Sequence, residues 1–119
     1  MEGMLLKTLI EKIRRFNTER DWEKFHSPKN LAMAFNVEVA EIAEHFQWLT
    51  EEQSNKLQPE KIARITEEIG DATIYLLNLS DKLGIDPLKA AEDKLRINEK
   101  KYPAEKVKGK HSKYTEYEK

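Results

Sequence analysis

At 119 residues the chain has room for one domain rather than two. Its 39% hydrophobic and 36% charged residues predict a soluble helical protein with heavily charged outer faces, its net charge of -1 argues against a polymeric nucleic acid as partner, and the lack of cysteine excludes disulfides, thiolate catalysis and cysteine zinc sites. The apolar opening Met4-Leu5-Leu6 is broken at Lys7, too short for a signal-peptide core or a membrane span, so a cytoplasmic protein with no membrane partner is expected.

Leu6, Leu9, Ile10, Ile13 and Phe16 recur at helical spacing with Lys7, Glu11, Lys12, Arg14 and Arg15 opposite, which predicts an amphipathic first helix over 4–19. The period is lost from Glu19 to His26, read as an ordered connector carrying Trp22 and Phe25. Ser27-Pro28 then supplies an N-cap and a first-turn proline for a second helix running to about Trp48, with Leu31, Ala34, Phe35, Val37, Ile42 and Phe46 as candidate core.

The polar stretch from Thr50 to Gln58 reads as a loop. A third helix spans roughly Pro59 to Leu83, with Ile62, Ile65, Ile69, Ala72, Leu76, Leu79 and Leu83 as its apolar set and Gly84 as its terminator. Asp86-Pro87 repeats the cap-plus-proline start for a fourth helix to about Lys101, ended by Pro103. The expected architecture is all-α, a four-helix domain over 1–103 with a basic, mobile tail over 104–119. The modest apolar content fits a core completed by oligomerisation.

Two acid pairs stand out, Glu38-Val39-Ala40-Glu41 and Glu68-Ile69-Gly70-Asp71. An acid three residues from another on a helix usually marks a solvated face. Here the neighbours are those of a core: Ala34, Val37, Val39, Ala40 and Ile42 for the first pair, Ile65, Ile69, Ala72 and Leu76 for the second. If the two helices pack side by side, four carboxylates converge in an apolar wall. Uncompensated, such a cluster would have to neutralise, and a hard divalent cation held by oxygen, Mg²⁺ or Mn²⁺, resolves the conflict. Glu44 and Glu67 lie off the two ridges and read as outer or surface groups. A ferritin-like di-iron centre needs a glutamate three residues before a histidine on two helices, and of the three histidines only His26 has one, Glu23, in the connector and not on a predicted helix.

Four segments together resemble the MazG-like nucleoside triphosphate pyrophosphohydrolases, in particular the dCTP pyrophosphatase branch. They are Trp22 to Leu31, Glu38 to Glu41 with Phe46-Gln47-Trp48, Glu67 to Asp71 with Ile74-Tyr75, and Ile97 to Pro103. Val37 stands where the wider family pattern has its first glutamate, a departure that the branch shares. The resemblance implies metal binding by Glu38, Glu41, Glu68 and Asp71, with Glu38 or Glu41 also accepting a proton from water. It implies hydrolysis between the α and β phosphates to a monophosphate and diphosphate, dCTP or modified deoxynucleotides as substrates, a house-cleaning role, and a homo-oligomer, dimer or tetramer.

A base needs a flat apolar slot, for which Trp22, Trp48 and Tyr75 are the candidates; the resemblance places the two tryptophans there. Asn30 either reads a base edge or fixes the start of the second helix. Lys94, Asn98 and Lys101 form one stripe beside Tyr102, and the resemblance gives them contacts to phosphates and sugar. Lys108, Lys110 and Lys113 could fold over the phosphates. His26 reads as a structural hydrogen-bonder. Two rival readings are a non-catalytic helical oligomerisation module, with the acids paired to lysines, and a nucleotide sensor without turnover.

Overall fold

The computed structural model describes residues 5–109, and among these every regular element is helical. Two compact units divide the chain, one ending at Gly84 and the other beginning at Ile85. The first contains α1 (Leu6–Glu19), a single 3-10 turn at Glu23–Phe25, α2 (Pro28–Glu44), the one-turn α3 (Glu51–Ser54) and α4 (Pro59–Lys82). The second contains α5 (Pro87–Lys101) and the one-turn α6 (Ala104–Val107). The all-α expectation holds.

The helix starts are those the caps predict. Ser27 Oγ accepts from the Asn30 amide at 3.1 Å with Pro28 in the first turn, and Asp86 Oδ1 accepts from the Leu88 and Lys89 amides at 3.0 and 3.1 Å. Gly84 lies just past α4 at φ +70°, the left-handed value that ends a helix and costs least in glycine. At the end of α1 the same role falls to Asp21, at φ +53°. The Trp22 amide reaches back to Asn17 O at 3.0 Å and the Asp21 amide to Thr18 O at 3.1 Å, the paired bonds of a Schellman ending. This turn swings Trp22 back along α1, where its ring meets Phe16 edge-on at 5.5 Å.

Two boundaries differ from expectation. The second helix stops at Glu44, because the His45 and Phe46 amides bond three residues back, to Ile42 O and Ala43 O, and tighten the chain into turns before Trp48. The expected loop contains α3, nucleated by a capping box in which the Thr50 hydroxyl accepts from the Gln53 amide at 3.1 Å and the Gln53 carbonyl from the Thr50 amide at 2.9 Å. Farther on, α6 occupies the start of the segment expected to be a tail, whereas Lys110 and Lys113 lie outside the described residues.

α4 is the central helix of the first unit, with α2 along one side and α1 packed on it as well. Ile13, Leu31, Ile65, Ala72 and Leu77 are buried between them. The remaining apolar candidates on α4 divide by face. Ile62, Ile69, Leu76 and Leu83, one heptad apart, stay 51, 50, 39 and 52% exposed, so they form a continuous stripe and not part of this core. Val37 on α2 is likewise exposed.

Polar ties lock α1 to α4. Arg14 grips Asp81 with both ends of its guanidinium, Nε to Oδ2 at 2.8 Å and NH2 to Oδ1 at 2.5 Å. These bonds hold the Asp81 carboxyl below the usual aspartate range, with burial opposing them. A group depressed in the native state stabilises it above the unfolded pKa of about 3.9 and loses that contribution as pH falls through the native value. Asp81→Asn is therefore expected to lower the melting temperature at pH 7. The difference from wild type should shrink progressively below about pH 4, and a gap of constant size down to pH 2 would contradict the tie.

Candidate active site

The packing of α2 against α4 decides where the acids go. Glu38 and Glu41 are one turn apart on α2, Glu68 and Asp71 one turn apart on α4, and both ridges lean toward the seam between the helices. Glu38 reports the convergence. Burial pushes its carboxyl above the ordinary glutamate range, and the charges of Glu41, Asp71 and Glu68 add to the rise, as does a proton shared with Glu41. Charges from two helices act on one side chain.

The seam shields particular oxygens rather than whole residues. Glu38 Oε2 and Glu68 Oε2 are shut off from water with no hydrogen-bond partner, although the remainder of each residue is partly exposed. Glu41 cannot relieve Glu38 while both are ionised, since a carboxylate only accepts. His45, at the end of α2, brings Nε2 to 2.5 Å from Glu68 Oε2, but the approach lacks hydrogen-bond alignment and leaves that oxygen unpaired by geometry. An orphaned, buried carboxylate oxygen on each helix is the donor chemistry that a hard cation satisfies. As the side chains stand, no group of three or more acid or histidine residues among the described residues is drawn tightly enough to ligate one ion, so closing the set requires side-chain rotation.

Beside the acids opens a cleft of about 370 Å³, whose walls include Lys12, Phe16, Asn17, Trp22, Asp71 and Tyr75. Asp71 and Tyr75 are one helical turn apart, so the acid seam runs directly into an aromatic wall. A smaller space of about 260 Å³ adjoins Trp22, Tyr75 and Asn30. Asn30 Nδ2 donates to Phe25 O at 3.0 Å, which ties the entry to α2.

The other sequence candidates lie elsewhere. Trp48 is 86% exposed in the turn after α2 and lines neither space. Lys94, Asn98 and Lys101 are carried by α5 in the second unit, with Tyr102 as its C-cap. Within that unit Asn98, Lys101 and Tyr102 are partly buried, and the Tyr102 amide bonds to Asn98 O at 2.8 Å. Five polar residues not singled out as site groups also come to the cleft or the seam: Lys12, Asn17, His26, His45 and Asn78. His45 is legible in hindsight as the position four after Glu41, and Asn78 as the position seven after Asp71. Lys12 and Asn17 looked like ordinary positions of an amphipathic helix.

A family model described as MazG-like matches residues 33–117, a span that contains both acid pairs. The chain belongs to the MazG-like family. Its relatives include dCTP pyrophosphatase 1 of Homo sapiens, 41% identical over 113 residues, and that of Rattus norvegicus, 39% identical over 113 residues. Each of these matches covers 90% of this chain and 66% of the mammalian protein, so the chain spans just under two thirds of those relatives. Among solved structures, a pyrophosphatase of Archaeoglobus fulgidus superposes with a TM-score of 0.80 at 38% identity, over 87% of this chain and 96% of that one. The MazG-like chain thus shares its fold with a protein of almost the same extent.

The stress on Glu38 has a measurable sign. A carboxyl raised in the native state destabilises it above the native pKa, where it must ionise, and carries no penalty below the unfolded value of about 4.3. Glu38→Gln should therefore melt higher than wild type at pH 7 in the presence of chelator. That gain should vanish as pH is lowered through the native value to about 4, and a lower melting temperature at pH 7 would show that Glu38 is not under charge stress.

Proposed function

We propose that the chain is a nucleoside triphosphate pyrophosphohydrolase, cleaving between the α and β phosphates to release a nucleoside monophosphate and diphosphate. The observation that carries this reading is that the charges of Glu41, Glu68 and Asp71 all act on Glu38 across the α2–α4 seam, and that Asp71 also lines an aromatic-walled cleft. The named activity of the mammalian relatives and of the archaeal neighbour supports it. By the same likeness, dCTP and related or modified deoxynucleotides are the substrate class, and clearing such nucleotides is the role.

The four acids are the residues that would hold Mg²⁺, with Mn²⁺ as a substitute. When bound, the ion neutralises phosphate charge and acidifies the attacking water. Glu38 or Glu41 accepts the proton from that water. The water oxygen attacks the α phosphorus, and the bridging oxygen departs with the β phosphate as diphosphate. Trp22 and Tyr75 offer flat faces for the base, and Lys12 brings a cation into the same cleft. Lys94, Asn98, Lys101 and Tyr102 are assigned to phosphate and sugar, and Trp48 to the base, by family likeness. The exposed heptad stripe of α4 supports a homo-oligomer, in which such residues reach a nucleotide from a neighbouring copy. No helix among the described residues is long and apolar enough to cross a membrane.

The test is diphosphate release from the eight ribo- and deoxynucleoside triphosphates, with and without Mg²⁺. Release from dCTP that requires the metal is expected. Glu38→Gln, Glu41→Gln, Glu68→Gln and Asp71→Asn should each reduce it by at least about 100-fold with helicity intact. Binding without release would identify a nucleotide sensor instead, and neither binding nor release would leave an oligomerisation module.

A further inference from the structure

The acid seam and the aromatic walls leave one part of the cleft unexplained. Asn17 on α1 and Asn78 on α4 both line it. Asn17 is only 7% exposed, an unusual position for a residue that is normally found at the surface. Asn17 Nδ2 donates to Asn78 Oδ1 at 2.8 Å, and this bond spans the two helices.

One bond does not exhaust two carboxamides. A closed amide pair would make two antiparallel bonds, whereas only one is formed here, which leaves the Asn17 carbonyl oxygen as an acceptor and the Asn78 amine as a donor. Neither has another protein partner among the described residues, and neither is a sealed-off orphan of the kind found on Glu38 and Glu68. Both groups therefore remain available to a ligand at residues that line this cleft and also an adjoining one of about 350 Å³. Along α4, Asp71, Tyr75 and Asn78 lie on one face, and Asn78 stands about 10 Å of helix rise beyond Asp71. A nucleotide with its phosphates at the acids and its ring against Trp22 and Tyr75 would extend its base edge toward the two amides.

We propose that the Asn17–Asn78 pair reads the hydrogen-bonding edge of the substrate base and selects an aminopyrimidine over a ketopyrimidine. This rests on the nucleotide-hydrolase reading above and names the residues that give it base preference. The Asn17 oxygen accepts from the exocyclic amine, and the Asn78 amine donates to the adjacent ring nitrogen. In a uracil or thymine ring held in the same pose both polarities are reversed, placing oxygen against oxygen and N–H against N–H. Inverting the pair to suit a ketopyrimidine would require both amides to turn together within a wall where Asn17 is almost fully buried.

The test uses product binding, so that it does not depend on turnover. Calorimetric titration of the full chain with dCMP and dUMP is expected to give about 10- to 100-fold tighter binding of dCMP, the range that a two-bond base contact supports. Asn78→Asp preserves an acceptor for Asn17 Nδ2, and with it the tie between α1 and α4, but removes the donor. It should bring the ratio of the two dissociation constants to within about 3-fold of unity. Asn78→Ala and Asn17→Ala should do the same, and because Asn78 is only partly buried its variants remain readable if Asn17→Ala fails to fold. A wild-type ratio at or below one, no binding of either nucleotide, or an unchanged ratio in both Asn78 variants would overturn the assignment. Failure of the hydrolase reading would appear separately, as absent diphosphate release from a protein that still discriminates dCMP from dUMP.

Discussion

Everything in this molecule that bears on chemistry depends on one uncomfortable contact: carboxylates from α2 and α4 pressed together along a seam that apolar packing closes. Leu31, Ile65, Ala72 and Leu77 are buried where the helices pack, and Glu38, Glu41 and Glu68 are partly buried along the same seam while Asp71 stays exposed. Folding energy from the apolar residues is in part spent against the repulsion among Glu38, Glu41, Glu68 and Asp71. An arrangement this unfavourable alone is informative, since a protein selected for stability would place lysines there instead.

The same packing sets the shape of the cleft. α1 is anchored to α4 by the Arg14–Asp81 grip at one level and the Asn17–Asn78 bond at another. The Schellman ending of α1 then turns the chain so that Trp22 returns over Phe16 and meets the space beside Tyr75. An end rich in acids and an end rich in aromatic and amide groups are thus produced along a single helix, α4.

Much of this was legible in the residues. The caps at Ser27 and Asp86 and the terminator at Gly84 placed helix ends because each is a local hydrogen-bonding or backbone event. The acid pairs were legible because their neighbours were apolar. Harder to see were features that depend on which of two equally apolar faces is used: on α4, period alone does not separate Ile65 and Ala72, which are buried, from Ile62, Ile69, Leu76 and Leu83, which are not. The one-turn α3 carried its capping box openly in Thr50-Glu51-Glu52-Gln53, hidden only by the polarity of the segment. Asn17 and Asn78 gave no signal singly, because their meaning lies in a bond across 61 positions of sequence.

The central claim is that the acids of both helices serve one cation. Calorimetric titration of Mn²⁺ into the nucleotide-free protein tests it directly, comparing wild type with Glu41→Gln on α2 and Glu68→Gln on α4. The account predicts saturable binding in wild type that is weakened by at least about 10-fold by either substitution, as expected when a single site draws ligands from both helices. Binding that is unaffected by the change on one of the two helices would contradict it.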